Sequence, residues 1–321
     1  MGKYIAKRIL TGMISVVISF VITFFLVKSA PGNPVRLLTG TDNPNPELVA
    51  HLTAEYGLDK RLLVQFFLYV RNLLTGDFGY SYVSDRPVLD IVGARLPATL
   101  LLSTSAVLLS VAVGVALAAL TAVCRGKWVR RVLDGVNYVL DSVPTFWLGL
   151  VLMLVSASWL KVLPTSGMTD VRAQYTGLRH YLDVAEHMVL PLMTLVMIQA
   201  PAYYKIFRTA VDRTMSEDFV AVLRATGMGR RALFSKFVLK NSLLPVITVA
   251  GMSMAFSISG VVLTEVVFSW QGMGRLIMDA IGRRDHLVLM GAYLVISVCV
   301  CFFTILTDIL YAVADPQVRL K

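Results

Sequence analysis

Three cysteines and four histidines are the residues from which a metal site or a nucleophilic centre would have to be built. Their spacing builds neither. Cys124, Cys299 and Cys301 fall in or beside apolar runs and form no C-x-x-C pair. His51, His180, His187 and His286 are scattered, with no i, i+4 pair that one helix face could offer a metal. A phosphate loop of the form G-x-x-x-x-G-K-[ST] is absent, so the chain does not hydrolyse ATP by that device. H-E-x-x-H and G-x-S-x-G are absent too, which argues against an intramembrane hydrolase. No catalytic residue and no metal ligand is assigned. Two acids stand out instead. Asp134 and Asp141 begin an apolar run, where a carboxylate is costly, so they should face a cavity or a partner.

The elements that position these residues are membrane spans. The 321 residues are 56% apolar and 16% charged, with a mean hydropathy of +0.71. That composition belongs to polytopic membrane proteins. Six apolar runs, 9–27, 98–123, 132–160, 187–207, 246–267 and 287–312, lie near the span length of about 20 residues. Each should be a helix, because backbone groups in lipid must be satisfied within the segment. The expected fold is an all-α membrane protein of six transmembrane helices. Lys3, Lys7 and Arg8 precede the first run and place the N-terminus in the cytoplasm. Counting forward, the whole formal excess of +10 lies on the inner side and the C-terminus is also inside. The bases are spread without interleaved aromatics, which argues against a nucleic-acid partner. The first run is too long for a signal-peptide core and is expected to stay as an anchor.

Three regions follow: 1–30 with the first span, an outer loop at 31–97, and a five-span core at 98–321 with an inner loop at 208–245. In the outer loop, 47–56 and 60–75 are expected as helices, with Leu62, Phe66 and Tyr69 as the apolar stripe of the second. Gly76, Asp77, Phe78, Gly79, Tyr80 and Ser81 form a Gly-hinged turn, and a short helix runs from Pro87 to Pro97. This loop serves either as a lid or as a platform for an external partner.

The inner loop holds the stretch Ser216–Pro245. Ser216 is expected to cap a helix over 217–226, with Glu217 and Asp218 in its first turn. Phe219, Val222 and Leu223 share one apolar face. Gly227 and Gly229 break the helix, and a second one climbs from Arg230 to Pro245. A short amphipathic helix held off a membrane suits a partner's groove, although the same pattern serves an ordinary basic loop. Within the spans, Asp141 and Pro144 in the third, Pro201 in the fourth, and Met254, Ser257 and Gly260 in the fifth are pathway-lining candidates. Plain helix packing accounts for the same residues. Phe268 and Trp270 are expected in an aromatic interfacial belt, followed by a turn through Gly272 and a short helix over 275–281.

A resemblance rests on many motifs in order. They include Pro31-Gly32-Asn33-Pro34, Tyr56-Gly57-Leu58-Asp59, Gly76–Ser81, Arg95–Leu100, Val143–Gly149, Leu163–Gly167 and His187–Pro191. The most specific are Phe219–Gly227, Asn241–Pro245, Glu265–Gly274 and Asp315-Pro316. Over nearly its whole length the chain resembles the B-type permease subunits of bacterial ABC importers of the dipeptide, oligopeptide and nickel family. The resemblance implies a bacterial inner-membrane protein that moves peptides inward; nickel or a metal chelate is the alternative cargo. A secondary transporter or channel is the rival from another class. It implies a homologous second permease, two cytoplasmic ATPases that bind ATP and Mg, and an extracytoplasmic solute-binding protein. The lipid bilayer surrounds the chain, which binds no cofactor itself. Ala221–Gly227 matches the loop that couples such permeases to the ATPase, so Phe219, Ala221, Val222, Leu223, Arg224, Ala225 and Gly227 are the expected coupling residues. Gly76, Asp77, Phe78, Gly79, Trp270 and Gly272 are the expected docking residues for the binding protein. Ala221 replaces the Glu of the generic motif, Val222 and Leu223 replace its alanines, and Gln271 stands where the family usually has Pro.

Overall fold

The computed structural model describes residues 2–29, 53, 59–123, 127–173 and 175–314. The expected helix at 47–56, the Pro31–Pro34 and Tyr56–Leu58 motifs, Cys124 and Asp315-Pro316 lie outside these residues. Helices follow in the order α1 Gly2–Ser29, α2 Leu62–Leu74, α3 Val88–Val123, α4 Lys127–Ser142 and α5 Thr145–Leu152. Then come α6 Leu178–Met215, α7 Asp218–Ala225, α8 Arg230–Leu233, α9 Leu239–Gly260, α10 Val262–Val267, α11 Met273–Gly282 and α12 His286–Ala314. Met153–Trp159 continues α5, and Phe234–Val238 joins α8 to α9, each as a π-helical segment. Among the described residues there is no strand, only a lone bridge between Tyr80 and Pro87. The all-helical expectation holds.

Among the described residues, five helices are long and apolar enough to cross a membrane, and α4 with α5 makes a sixth if that bent pair is one span. The third run is therefore two helices, not one, meeting at 106°. Pro144 is the cause: it sits at φ −62, ψ 132, has no N–H to give, and disfavours helix in the residue before it. The other prolines bend expectations the opposite way. Pro97 lies inside α3, so the outer short helix and the second span are one helix. Pro191 and Pro201 lie inside an unbroken α6, and Pro245 lies inside α9. The fifth span thus starts before Pro245 and stops at Gly260. Neighbouring helices satisfy the carbonyls that a membrane proline leaves free.

The chain forms two compact units. One comprises Gly2–Thr99 and Gln271–Phe302. Its core joins α1 to α2 through aromatic rings: Phe24 meets Phe66 edge-on at 5.2 Å, and Phe20 stacks on Tyr69 at 5.8 Å. Phe66 and Tyr69 are the packed stripe, while Leu62 is 43% exposed and lies off it. Burial, with the Asp77 carboxylate second, pushes the Tyr69 phenol up, so it stays neutral.

The other unit comprises Leu100–Trp270 and Phe303 onward. Its centre is α6, with Tyr203, Tyr204, Phe207 and Val211 buried against Val220, Leu233 and Val246. α3 approaches α6 at Gly114, where an added Cβ would lie 2.7 Å from the Ala200 carbonyl oxygen and 2.8 Å from Tyr203 Cβ. Phe268 and Trp270 correct the interfacial-belt expectation, because both are buried at 2% and 0% exposure. Ser269 adopts a left-handed φ of 53°, and the Trp270 N–H reaches the Glu265 carbonyl at 2.8 Å. That six-to-one closure turns the chain back at the end of α10.

Candidate functional site

The stretch Ser216–Pro245 follows the C-terminal end of α6. Ser216 closes α6 instead of opening α7: its N–H reaches the Arg213 carbonyl and its hydroxyl donates to the Asp212 carbonyl, both at 3.0 Å. Glu217 takes the cap position in extended backbone, with no side-chain bond to the helix. α7 then spans Asp218–Ala225, a residue shorter at each end than expected. The Gly227 N–H bonds the Arg224 carbonyl at 3.0 Å and the Met228 N–H bonds that of Leu223 at 3.3 Å. Gly227 has φ +82°, a left-handed value that a side chain strains.

The two faces of α7 do different things. Val220 is 1% exposed and packs with Phe207, Leu233 and Val238. Leu223, three residues on, is half-buried against the same cluster. Phe219 and Val222 point away from it, at 38% and 63% exposure. The expected apolar face is therefore divided. Leu223 helps to anchor the helix, while Phe219 and Val222 are available, with Ala221, Arg224 and Ala225 exposed beside them.

The two acids of α4 lie along α6. Tyr204 donates to Asp134 Oδ1 at 2.7 Å, and Arg208 Nη1 donates to the same oxygen at 2.7 Å and to the Tyr204 hydroxyl at 2.8 Å. Two turns along α4, Lys205 Nζ donates to Asp141 Oδ2 at 2.7 Å. The first rung is the more enclosed: the Arg208 side chain is 14% exposed, against 38% for Lys205. The partners of these acids are thus within the chain. The sequence marks out the acids but not their partners Lys205 and Arg208.

The remaining candidates separate. Asp141 and Pro144 are exposed at the corner between α4 and α5. Pro201 is buried inside the continuous helix α6. Met254 is half-buried, and the side chains of Ser257 and Gly260 lie outside the described residues. Gly76 and Asp77 are exposed, Phe78 and Gly79 half-buried. Gly76 has φ +82°, and the Gly79 N–H bonds the Asp77 carboxylate at 2.8 Å. Ser81 donates to the buried Asp285 at 2.5 Å, which ties the turn to the start of α12. Trp270 and Gly272 are buried and do not present themselves for contact. Gln271, in the family's proline position, accepts from Arg95 at 3.1 Å, and the Met273 N–H bonds the Thr99 hydroxyl at 2.7 Å. Among the described residues no cluster of three His, Cys, Asp or Glu side chains could hold a metal.

Residues 114–320 match the model of the binding-protein-dependent transport system inner membrane component, and residues 1–103 match the model of its N-terminal region. The chain belongs to this permease family. Relatives of known assignment cover it almost end to end. The dipeptide transport system permease protein DppB of Escherichia coli is 34% identical over 318 residues, 94% of each chain. The glutathione transport system permease protein GsiC of Salmonella typhimurium is 32% identical over 321 residues, the whole of both. The probable D,D-dipeptide transport system permease protein DdpB of Escherichia coli is 33% identical over 313 residues, 93% of this chain and 92% of its own. The permease family accounts for the absence of catalytic motifs: a subunit of this kind is a membrane component, not a catalytic enzyme.

Proposed function

We propose that this chain is the transmembrane subunit of an ATP-driven importer and forms part of an inward path for short peptides. The family membership and the dipeptide and glutathione assignments of its relatives support that cargo. Both termini face the cytoplasm, where the charge excess then falls. ATP and Mg are held by partner ATPases, and an external binding protein delivers the peptide near the Gly76–Gly79 turn. Trp270 and Gly272 belong to the same proposed docking set. The mechanism is alternating access: closure of the ATPases moves α7, and α6 carries the motion into the spans.

The observation that carries this reading is the divided face of α7. Val220 fixes the helix to its own chain and leaves Phe219 and Val222 uncovered. Burial of those two side chains in an ATPase cleft stabilises docking by roughly 1.5–3 kcal/mol each. A cysteine at Ala221 should crosslink to the ATPase in the assembled importer, and Phe219→Asp should abolish dipeptide uptake while leaving the chain in the membrane. Normal uptake by that variant, with no crosslink in any nucleotide state, would overturn the role of α7. For orientation, a cysteine at Asn45 should react with an impermeant reagent from outside and one at Ser216 should not.

A further inference from the structure

The chain between the end of α5 and the second turn of α6 walls a pocket of about 760 Å³. That volume falls within the range of about 300–1,000 Å³ of small-molecule sites. The wall is stapled in place. Lys161 turns the chain at a left-handed φ of 53°, and the Val162 N–H bonds the Ser156 carbonyl at 3.1 Å. The Gly167 N–H bonds the Phe268 carbonyl at 2.9 Å, and the Asp170 N–H bonds Asp183 Oδ2 at 2.8 Å. A loop held at three points offers a preformed site, which lowers the ordering cost of binding.

Two of the lining residues are enclosed. Asp183 and His187 stand one turn apart on α6, with side chains 7% and 9% exposed. His187 Nδ1 lies 2.9 Å from the Asp183 carbonyl oxygen and 3.2 Å from its carboxylate. Both neighbours accept, so Nδ1 carries a proton, and in the neutral ring Nε2 keeps a lone pair. Nε2 has no hydrogen-bond partner among the described residues. Three further lining residues, Lys161, Arg172 and Glu186, are exposed, and their side chains have no ion-pair partner among the described residues. Asp170 is used within the loop, where its carboxylate accepts the Arg172 N–H at 2.9 Å.

The charges select the ligand. An anion alone would leave Glu186 unanswered, a cation alone would leave Lys161 and Arg172, and a neutral solute would leave all three. A zwitterion answers both signs. The lone pair of His187 Nε2 adds an acceptor for an amide N–H, which a peptide has and a free amino acid lacks. The position agrees with this. α6 has 38 residues and is about 57 Å long, against roughly 30 Å of bilayer hydrocarbon. The pocket lies at one end of it and α7 follows the other, so the proposed orientation opens the pocket on the outer side.

We infer that this pocket is a peptide-binding site of the permease chain itself, in which Lys161 and Arg172 take the C-terminal carboxylate, Glu186 the N-terminal ammonium and His187 the peptide N–H. The inference rests on the permease reading above and adds to it that this chain selects peptides with both ends free.

The test is saturation-transfer NMR on the full chain in nanodiscs, without any binding protein, using L-alanyl-L-alanine as the probe. The parent should bind it saturably. N-acetyl-dialanine and dialanine amide should each bind weaker by about tenfold or more, the loss of one charge-assisted hydrogen bond. Glu186→Gln should abolish the discrimination against the acetylated peptide alone, and Arg172→Gln should reduce the discrimination against the amide alone. Both side chains are exposed, so melting temperatures should match the parent. Those crossed losses would not follow from a merely structural role. Unchanged discrimination in both variants, equal binding of free alanine, or displacement by inorganic phosphate as effective as by dialanine overturns the inference. Uptake of labelled dialanine by the assembled importer separates the two levels. An importer that transports dialanine through a chain that does not bind it refutes the pocket and leaves the permease reading standing. An importer that transports no dipeptide, with its binding protein present, refutes the peptide reading as well.

Discussion

Helices α4 and α7 are both short and amphipathic, and both pack against the C-terminal part of α6, yet opposite faces hold them. α7 is anchored by apolar packing through Val220 and Leu223. α4 is anchored by charge, through Asp134 to Arg208 and Tyr204 and through Asp141 to Lys205. The lesson concerns what an apolar stripe means in a membrane protein. In water the stripe points to the core. Beside a bilayer or a partner it also points outward, and the polar face then carries the intramolecular bonds. In α7 part of the stripe points each way.

The largest effect expected from breaking this comparison is at Val220. Val220→Asp puts an unpaired carboxylate into a cluster that includes Phe207 and Leu233, at a cost of about 3 kcal/mol or more. The chain should be lost from membranes, or α7 should detach and unfold locally, so that trypsin cuts faster at Arg224. Val222→Asp, two residues away on the exposed side, should change the chain's own stability by less than about 0.5 kcal/mol while uncoupling uptake. Equal losses of stability in the two variants would remove the distinction between the faces.

Next in size is the enclosed rung on α4. Asp134→Ala leaves the Arg208 guanidinium and the Tyr204 hydroxyl without their acceptor, costing on the order of 1.5–3 kcal/mol. Thermal unfolding of the purified chain measures it. The exchanged pair Asp134→Arg with Arg208→Asp should recover part of the loss. A double variant no better than the sum of its singles would mean that the two residues do not interact.

The ease with which each region could be read from sequence follows the same division. The apolar runs and the α7 helix were legible because their patterns are local. Gly76 and Gly227 announced their turns because both need a left-handed residue there, and glycine adopts one without cost. Ser269 and Arg284 make equivalent closures at φ 53° and 54°, and nothing in those residue types gives notice of them. The burial of Trp270 follows from the first of these and was missed with it. The prolines misled in both directions. Pro144 breaks a span, whereas Pro97, Pro191, Pro201 and Pro245 lie inside continuous helices, and residue type alone does not separate the two cases. The partners of Asp134 and Asp141 lie 64 to 74 residues away, beyond any spacing rule.

A smaller effect is expected at the turn after α7. Gly227→Ala forces a side chain into a left-handed backbone and should cost about 1–2 kcal/mol. The loss should appear as faster hydrogen exchange over α7, with α4 unchanged. If exchange rises equally in both helices, they are not separately anchored.

The smallest effect, and the finest test, is the exposed rung. The Lys205–Asp141 pair is as short as the Arg208–Asp134 pair, so distance alone would rank them equal. Exposure ranks them differently. Lys205 and Asp141 are 38% and 48% exposed, and water screens a pair so placed. Asp141→Asn should therefore cost under about 1 kcal/mol. The difference between Asp141→Asn and the parent should vanish in about 1 M salt, where the screening length falls to about 3 Å. Asp134→Ala should keep most of its cost in the same buffer, because Arg208 is largely shielded from solvent. A loss at Asp141 as large as that at Asp134, and equally indifferent to salt, would mean that the two rungs act as one cooperative unit and that α4 is closed off from water along its whole length.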